Sequence, residues 1–265
     1  MNADFAPYRL PDGELCPETT STAHTLRDWL ADPEILRPPC AVIPHLAITG
    51  RVTLLSGREK VGKSTLAACA VAAASRAEPV LAVPVDQPVR TLWYAIDEHF
   101  ADAVRRFRSL GANLDHVIIN VEPRTGRELL AALKQDLAAF PGVGLVVVDT
   151  LSRVFASSGV DPNSSHDVEP VIARLVDAFH RYGVASILLY HTGKAGKEYR
   201  GSTAIGATVD DILTLRRRGE QEGDDFDDDP SDDGRRLLVQ DGRILRGRLQ
   251  LSCTGGVYQL YEESS

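Results

Sequence analysis

The sequence predicts an α/β fold: a mostly parallel sheet sandwiched by helices, with a short antiparallel extension at the C-terminus. Three observations predict it. From Arg51 onward, short β-rich runs alternate with helical segments, which is the pattern of βαβ units. A glycine-rich loop ending in Gly-Lys-Ser stands between the first of those runs and the first of those helices. An apolar run, Leu145-Val146-Val147-Val148, ends in Asp149, as a central strand covered on both faces would.

The first 50 residues mix polar and proline-rich stretches, with a short helical candidate over 25–30 and a proline-containing lead-in over 38–50. Residues 1–48 are therefore expected to be an N-terminal arm and linker, and 49–265 the folded domain. The strand candidates are 52–55, 90–96, 116–121, 144–149, 185–190 and 211–215. Between them, 63–77, 100–110, 128–140 and 168–182 read as helices, each longer than the roughly 8 residues a buried strand reaches. Residues 220–233 hold nine of the 37 acids with Phe226 as their one large apolar side chain, so 219–234 is expected to be a flexible acidic loop. After it, 235–240, 248–252 and 257–261 alternate in the manner of antiparallel strands.

Composition narrows the function classes. Outside the acidic run 28 acids face 29 bases, so the net charge of −8 is set by one segment and does not exclude a local groove for nucleic acid. Cys16, Cys40, Cys69 and Cys253 lie far apart without CxxC or CxxH spacing, which argues against a disulfide framework and a thiolate zinc site. The N-terminus lacks a basic n-region and an apolar h-region, and no apolar run approaches the roughly 20 residues that span a bilayer. A cytoplasmic protein without membrane insertion is expected. Lysine is scarce, and four of the five fall in two clusters, Lys60 with Lys63 and Lys194 with Lys197.

The first cluster belongs to Gly57-Arg58-Glu59-Lys60-Val61-Gly62-Lys63-Ser64, which fits G-x-x-x-x-G-K-[ST] in the strand-to-helix context that this motif requires. Glycines let the backbone fold around an anion, successive N–H groups and the helix N-terminus point at phosphate, and Lys63 reaches the β- and γ-phosphates. Ser64 is the expected Mg²⁺ ligand, and Thr65 completes the ATP-binding set. Asp149, at the end of its apolar strand, is the second candidate for Mg²⁺. Thr150 follows it, so a water-activating carboxylate must come from elsewhere. The strand 90–96 ends in Asp97-Glu98, the first acids expected at the C-terminal edge of the sheet, where ligands bind. Asp97 or Glu98 is the expected general base or water-orienting residue. The strand 185–190 leads into His191, an imidazole at the same edge and a candidate sensor of the γ-phosphate.

The order of phosphate loop, acid pair, Asp149-Thr150-Leu151-Ser152, Tyr190-His191-Thr192-Gly193-Lys194 and Arg200-Gly201-Ser202-Thr203 resembles the RecA-superfamily ATPases of the RepA type, the plasmid replicative hexameric helicases and their AAA-labelled relatives. The resemblance covers nearly the whole chain, roughly 25–261. It implies a RecA-like P-loop NTPase core, Lys63 and Ser64 at nucleotide and Mg²⁺, Asp149 at Mg²⁺, Asp97-Glu98 at the water and His191 as sensor. Two departures stand out. The acid pair reads Asp-Glu where relatives read Glu-Asp, and the stretch where they carry an arginine finger reads Ala207-Thr208-Val209-Asp210-Asp211, with Arg200, Arg216, Arg217 and Arg218 as the nearest substitutes.

In RecA-like proteins the loops after the Asp149 strand and after the sensor strand line a DNA channel. The second, 192–200, carries Lys194, Lys197, Tyr199 and Arg200, cations and an aromatic suited to tracking phosphates and stacking bases of single-stranded nucleic acid. The first, 152–166, is expected to be a long polar loop with Arg153 as its cation, and Ser164 or Ser165 to cap the next helix. The expected function is a nucleic-acid-dependent ATPase or helicase in replication, recombination or repair, working as a homo-oligomer such as a hexameric ring. The alternative is a nucleotide-gated regulatory or assembly protein with slow ATPase acting on a protein partner.

Overall fold

The computed structural model describes residues 24–36, 39–162, 164–192, 202–219 and 233–261. The chain divides into two units, Met1–Pro38 and Pro39–Ser265. In the first, helix α1 (Leu26–Leu30) is started by a capping box between Thr25 and Asp28, and a 3₁₀ turn follows at Pro33–Leu36.

The second unit opens with a small antiparallel pair, β1 (Ala41–Ile43) and β2 (Ala47–Ile48). It thus begins at Pro39, ahead of the 48/49 boundary expected from the sequence. The reason is packing: Ile43, Leu46 and Ala47 are fully buried in the core of the second unit.

A nine-stranded sheet follows, made of β3 (Val52–Gly57), β4 (Arg90–Ala95), β5 (Val117–Asn120), β6 (Val143–Asp149), β7 (Ala185–His191), β8 (Asp211–Arg217), β9 (Arg235–Gly242), β10 (Arg246–Thr254) and β11 (Val257–Leu260). Its order is β11-β10-β9-β8-β3-β7-β6-β4-β5. From β8 to β5 every pairing is parallel, and from β8 to β11 every pairing is antiparallel, so the α/β class with an antiparallel C-terminal extension is as the sequence predicts. The helices are α2 (Lys63–Ala74), α3 (Phe100–Ser109), α4 (Gly126–Ala139), α5 (Leu151–Ser157), α6 (Ser165–Tyr182) and α7 (Ser202–Thr208).

Strand side chains alternate between two cores, one on each face of the sheet. Leu55, Trp93, Val147 and Leu189 join α2 and α3 on one face. Leu54, Tyr94, Val148 and Leu188 join the helices from α4 to α7 on the other. This period of two is what lets each strand be apolar throughout and still feed two separate layers. Helix α2 is buried on nearly every side, which suits its run of alanines.

Several boundaries differ from expectation for local reasons. Helix α2 ends at Ala74 rather than 77, because Ala77 takes a left-handed φ of 55°. The stretch 152–166 is not a continuous loop: Thr150 caps α5, whose Leu151, Val154 and Phe155 are buried, and Ser164 is the residue that caps α6. The acidic residues 220–232 lie outside the described residues.

Candidate functional site

Four strands end in one row. Gly57 of β3 pairs with His191 of β7, and Ala95 of β4 pairs with Asp149 of β6. Because β6 and β7 lie between β3 and β4, consecutive strands leave a crevice at this edge, where open parallel sheets hold their ligands.

The glycine-rich loop leaves β3 and enters α2 through left-handed residues at Lys60 (φ 58°) and Gly62 (φ 104°). Gly57 and Gly62 are required to lack side chains: a Cβ would sit 2.5 Å from the Leu215 carbonyl oxygen at the first and 2.2 Å from Tyr258 Oη at the second. Gly62 supplies no side-chain cap to α2, so the first N–H groups of that helix have no side-chain acceptor. That is an anion socket by construction, and the residues present fit a phosphate.

Lys63 is 3% exposed and donates to the carbonyls of Gly57 (2.8 Å) and Arg58 (2.7 Å) and to His191 Nδ1 (2.9 Å). Burial lowers its pKa to about 8, against the opposing pull of Asp149 and Glu59. Since an ammonium can only donate, His191 Nδ1 accepts and its ring proton sits on Nε2, facing Asp97 Oδ2 at 3.8 Å. Burial first, and then the Lys63 charge, lower the His191 pKa, so the ring is neutral. The His191 N–H donates to Ser152 Oγ at 3.0 Å, which fixes the strand end against α5.

Ser64 Oγ donates to Asp149 Oδ1 at 3.0 Å. Asp149 is 4% exposed, and burial raises its pKa to about 6 despite the Ser64 hydrogen bond, with the Glu98 charge adding to the rise. A hydroxyl and a carboxylate side by side are hard oxygen ligands that fit Mg²⁺, an ion that takes few protein ligands and keeps waters and phosphate oxygens for the rest. No group of three or more His, Cys, Asp or Glu able to hold a metal occurs among the described residues.

The two acids after β4 diverge. Asp97 is 45% exposed and faces His191, whereas Glu98 is 17% exposed and is held by Arg106 Nη2 from α3. Arg106 Nη1 also lies 3.8 Å from Asp149 Oδ2. Burial raises the Glu98 pKa and the Arg106 guanidinium opposes the rise. Glu98 Oε1 and Arg106 Nη1 are both buried without a hydrogen-bond partner, two orphaned polar atoms beside Asp149.

The sequence-predicted residues from Gly57 to Thr65, with Asp97, Glu98, Asp149 and His191, thus stand around one crevice. Lys194, Lys197, Tyr199 and Arg200 lie outside the described residues. Sequence reasoning missed Arg106, whose signal was a charge directly beside the buried Phe107 on α3. It also missed two supports from the C-terminal strands, the Arg236 Nε bond to the Val61 carbonyl (2.8 Å) and Tyr258 Oη at the Gly62 carbonyl (3.4 Å), which no local pattern foretells.

A family model for the AAA domain matches residues 17–197, more than half of the chain. No curated protein matches the sequence. The matched span carries the phosphate loop, the acid pair, Asp149 and His191, and an AAA domain brings nucleotide binding and ATPase activity with it. The chain belongs to the AAA domain family of P-loop ATPases.

Proposed function

We propose that this protein hydrolyses ATP with Mg²⁺ as a RecA-like ATPase of the RepA type and that single-stranded nucleic acid controls its rate. The observation that carries the reading is the convergence of Lys63, Ser64, Asp149, Glu98 and His191 on one crevice beside an uncapped helix N-terminus. Backbone N–H groups from 57 to 65 cradle the phosphates, and Lys63 leaves its loop carbonyls for the β- and γ-phosphate oxygens. Ser64 and Asp149 hold Mg²⁺, which when bound neutralises phosphate charge. Glu98 Oε1, without a partner in the free protein, accepts a hydrogen bond from the attacking water and takes up its proton; the rise in its pKa makes it a better base. Arg106 positions Glu98. His191, neutral and bonded to Lys63, senses the γ-phosphate through that contact.

The finer parts of the reading are a homo-oligomeric ring, a cytoplasmic setting, a catalytic domain over 39–265, and contacts from Lys194, Lys197, Tyr199 and Arg200 to single strands. No helix among the described residues is long and apolar enough to cross a membrane. The test is steady-state ATP hydrolysis with and without single-stranded DNA, with Lys63→Ala as the blank. Stimulation by DNA that Lys194→Ala/Lys197→Ala removes is the expected result. A rate indifferent to DNA and RNA would sink the nucleic-acid role.

A second reading, a nucleotide-gated regulator with slow turnover, is favoured by one observation. The stretch where RepA-type proteins carry a finger has no arginine, and Asp210 and Asp211 there are buried in structural bonds. Oligomer size with a non-hydrolysable ATP analogue separates the readings: a ring supports the first and a stable monomer the second.

A further inference from the structure

We propose that Arg124 is a positioning residue for hydrolysis: its guanidinium fixes the peptide unit that aims Asp97 and Glu98 into the crevice. The inference rests on the ATPase reading. Strand β4 ends at Ala95, and its last rungs pair Tyr94 with Asn120 on β5 and Ala95 with Asp149 on β6, so Ile96 lies beyond both ladders. There the chain turns, and the N–H groups of Ile96 (2.7 Å) and Asp97 (3.2 Å) both donate to the Asp149 carbonyl. A trans peptide unit points its N–H and its C=O in opposite directions, and the Ile96–Asp97 unit is trans. With the Asp97 N–H facing β6, the Ile96 carbonyl faces the β5 side, where Arg124 Nη1 donates to it at 2.8 Å. One peptide plane is thus held at both ends. Its orientation sets ψ of Ile96 and φ of Asp97, the two angles through which the chain presents the acid pair.

The turn that carries Arg124 is anchored without its guanidinium. The N–H groups of Arg124 and Thr125 donate to Glu128 Oε2 (2.8 and 3.0 Å) at the capped start of α4. The Gly126 N–H donates to Ser158 Oγ just past α5 (3.0 Å), and that hydroxyl donates to the Val154 carbonyl (2.7 Å). Removing the guanidinium therefore frees the Ile96 carbonyl and leaves the turn in place. The peptide plane is then held at its N–H end alone, by the longer of two hydrogen bonds that share one acceptor. Asp97 faces His191 and Glu98 is held by Arg106, so the looser plane spreads both carboxylates over more orientations. The phosphate socket belongs to β3 and α2 and does not include this segment. The loss thus falls on the alignment of the attacking water, which lowers kcat, and not on the hold on ATP, which sets KM.

The test uses the full chain with Arg124→Met, which keeps the length and removes the donors, and Arg124→Lys, which keeps one donor. Amide hydrogen exchange over 96–98 and over 145–148 of β6 is measured beside steady-state ATP hydrolysis. In Arg124→Met the Asp97 N–H is expected to exchange about tenfold faster while the β6 amides stay as they are, and kcat to fall about tenfold with KM for ATP within about twofold. Arg124→Lys should restore most of both. Unchanged exchange at Asp97 would overturn the hold on the peptide. Faster exchange there with kcat unchanged, or a rise in KM alone, would overturn the positioning role. Faster exchange spread through 145–148 as well would show a general loss of structure and would overturn it too. If the wild-type protein hydrolyses no ATP, the ATPase reading fails, and exchange at Asp97 still decides whether Arg124 holds the peptide.

Discussion

Asp149 carries opposing demands on one carboxylate: the fold disfavours its charge, and metal binding needs it. Its folded pKa of about 6 lies above the 3.8 of an unburied aspartate, so its charged form destabilises the free protein above about pH 6, by about 3 kcal/mol for a shift of this size. That penalty fades as pH falls from 6 towards 3.8. Asp149→Asn keeps an oxygen for Ser64 and removes the charge. It is expected to raise the stability of the free protein to denaturant at pH 8, to lose that gain near pH 4, and to abolish hydrolysis. A lower stability at pH 8 would sink the account. The same shift predicts a rate profile: Mg²⁺ binding fails as Asp149 protonates below about 6, and phosphate binding fails as Lys63 loses its proton above about 8. kcat/KM should therefore be bell-shaped between those limits, and kcat broader, because bound Mg²⁺ and nucleotide favour both charged forms. Arg106 acts through Glu98, so Arg106→Gln should lower kcat by about 10- to 100-fold with little change in KM and move the acidic limb upward, as Asp149 and Glu98 both lose an opposing cation. A rise in KM alone would show a structural role instead. Asp149 and the phosphate loop were legible in the sequence because their chemistry is local. Arg106 was not, since a helix surface does not announce which strand end it covers.

At the scale of elements, the phosphate loop is a joint between β3 and α2 pressed by the C-terminal strands. Gly62 shows this: its φ of 104° suits glycine, and the space a Cβ needs is filled by Tyr258 Oη. Gly62→Ala should cost about 1–3 kcal/mol of stability and most of the nucleotide affinity. Adding Tyr258→Phe removes the clashing oxygen and leaves the backbone strain, so the double variant should recover part of each loss. Full recovery would mean that crowding alone matters; no recovery, that strain alone does. Calorimetry with titration of a fluorescent ATP analogue distinguishes the three. The helices themselves were largely readable, and the failures had physical causes. Leu151, Val154 and Phe155 repeat at helical spacing, but they follow a chemical motif and polar residues flank them, so α5 read as loop. Prolines around 38–44 made β1 and β2 read as linker, although Ile43 and Leu46 are fully buried.

For the whole domain, the sequence order of strands and helices was enough to foresee a parallel sheet with an antiparallel tail, because alternation and period reach across only a few residues. What joins distant segments was not foreseeable, and Asp210 is the plainest case. It stands at the edge of the sheet opposite the crevice, where β3 starts, α6 ends and β8 begins. One oxygen accepts from the Val52 N–H (2.9 Å) and meets His180 Nε2 (2.7 Å); the other meets Arg51 Nη1 (3.1 Å). Burial by itself would raise this carboxyl, yet the Val52 N–H, His180 and Arg51 together hold it below its ordinary value. The sign of the linkage follows. A lowered folded pKa contributes stability that is present above the ordinary aspartate value of 3.8 and is lost as pH falls below it. Asp210→Ala leaves a buried N–H without its acceptor and three segments without their tie, at a cost of about 2–4 kcal/mol at pH 7. The penalty should shrink as pH falls below 3.8 and through the lowered folded value, where the wild-type carboxyl takes up its proton. Since β3 spans six residues, roughly 20 Å at strand rise, affinity for nucleotide should change little while the folded state persists. Urea unfolding at pH 7 and at a series of pH values descending from 3.8, with nucleotide titration below the transition, measures both. A loss of affinity in step with the loss of stability would mean that this edge of the sheet is coupled to the crevice, and that the sheet passes strain along β3 rather than insulating one end from the other.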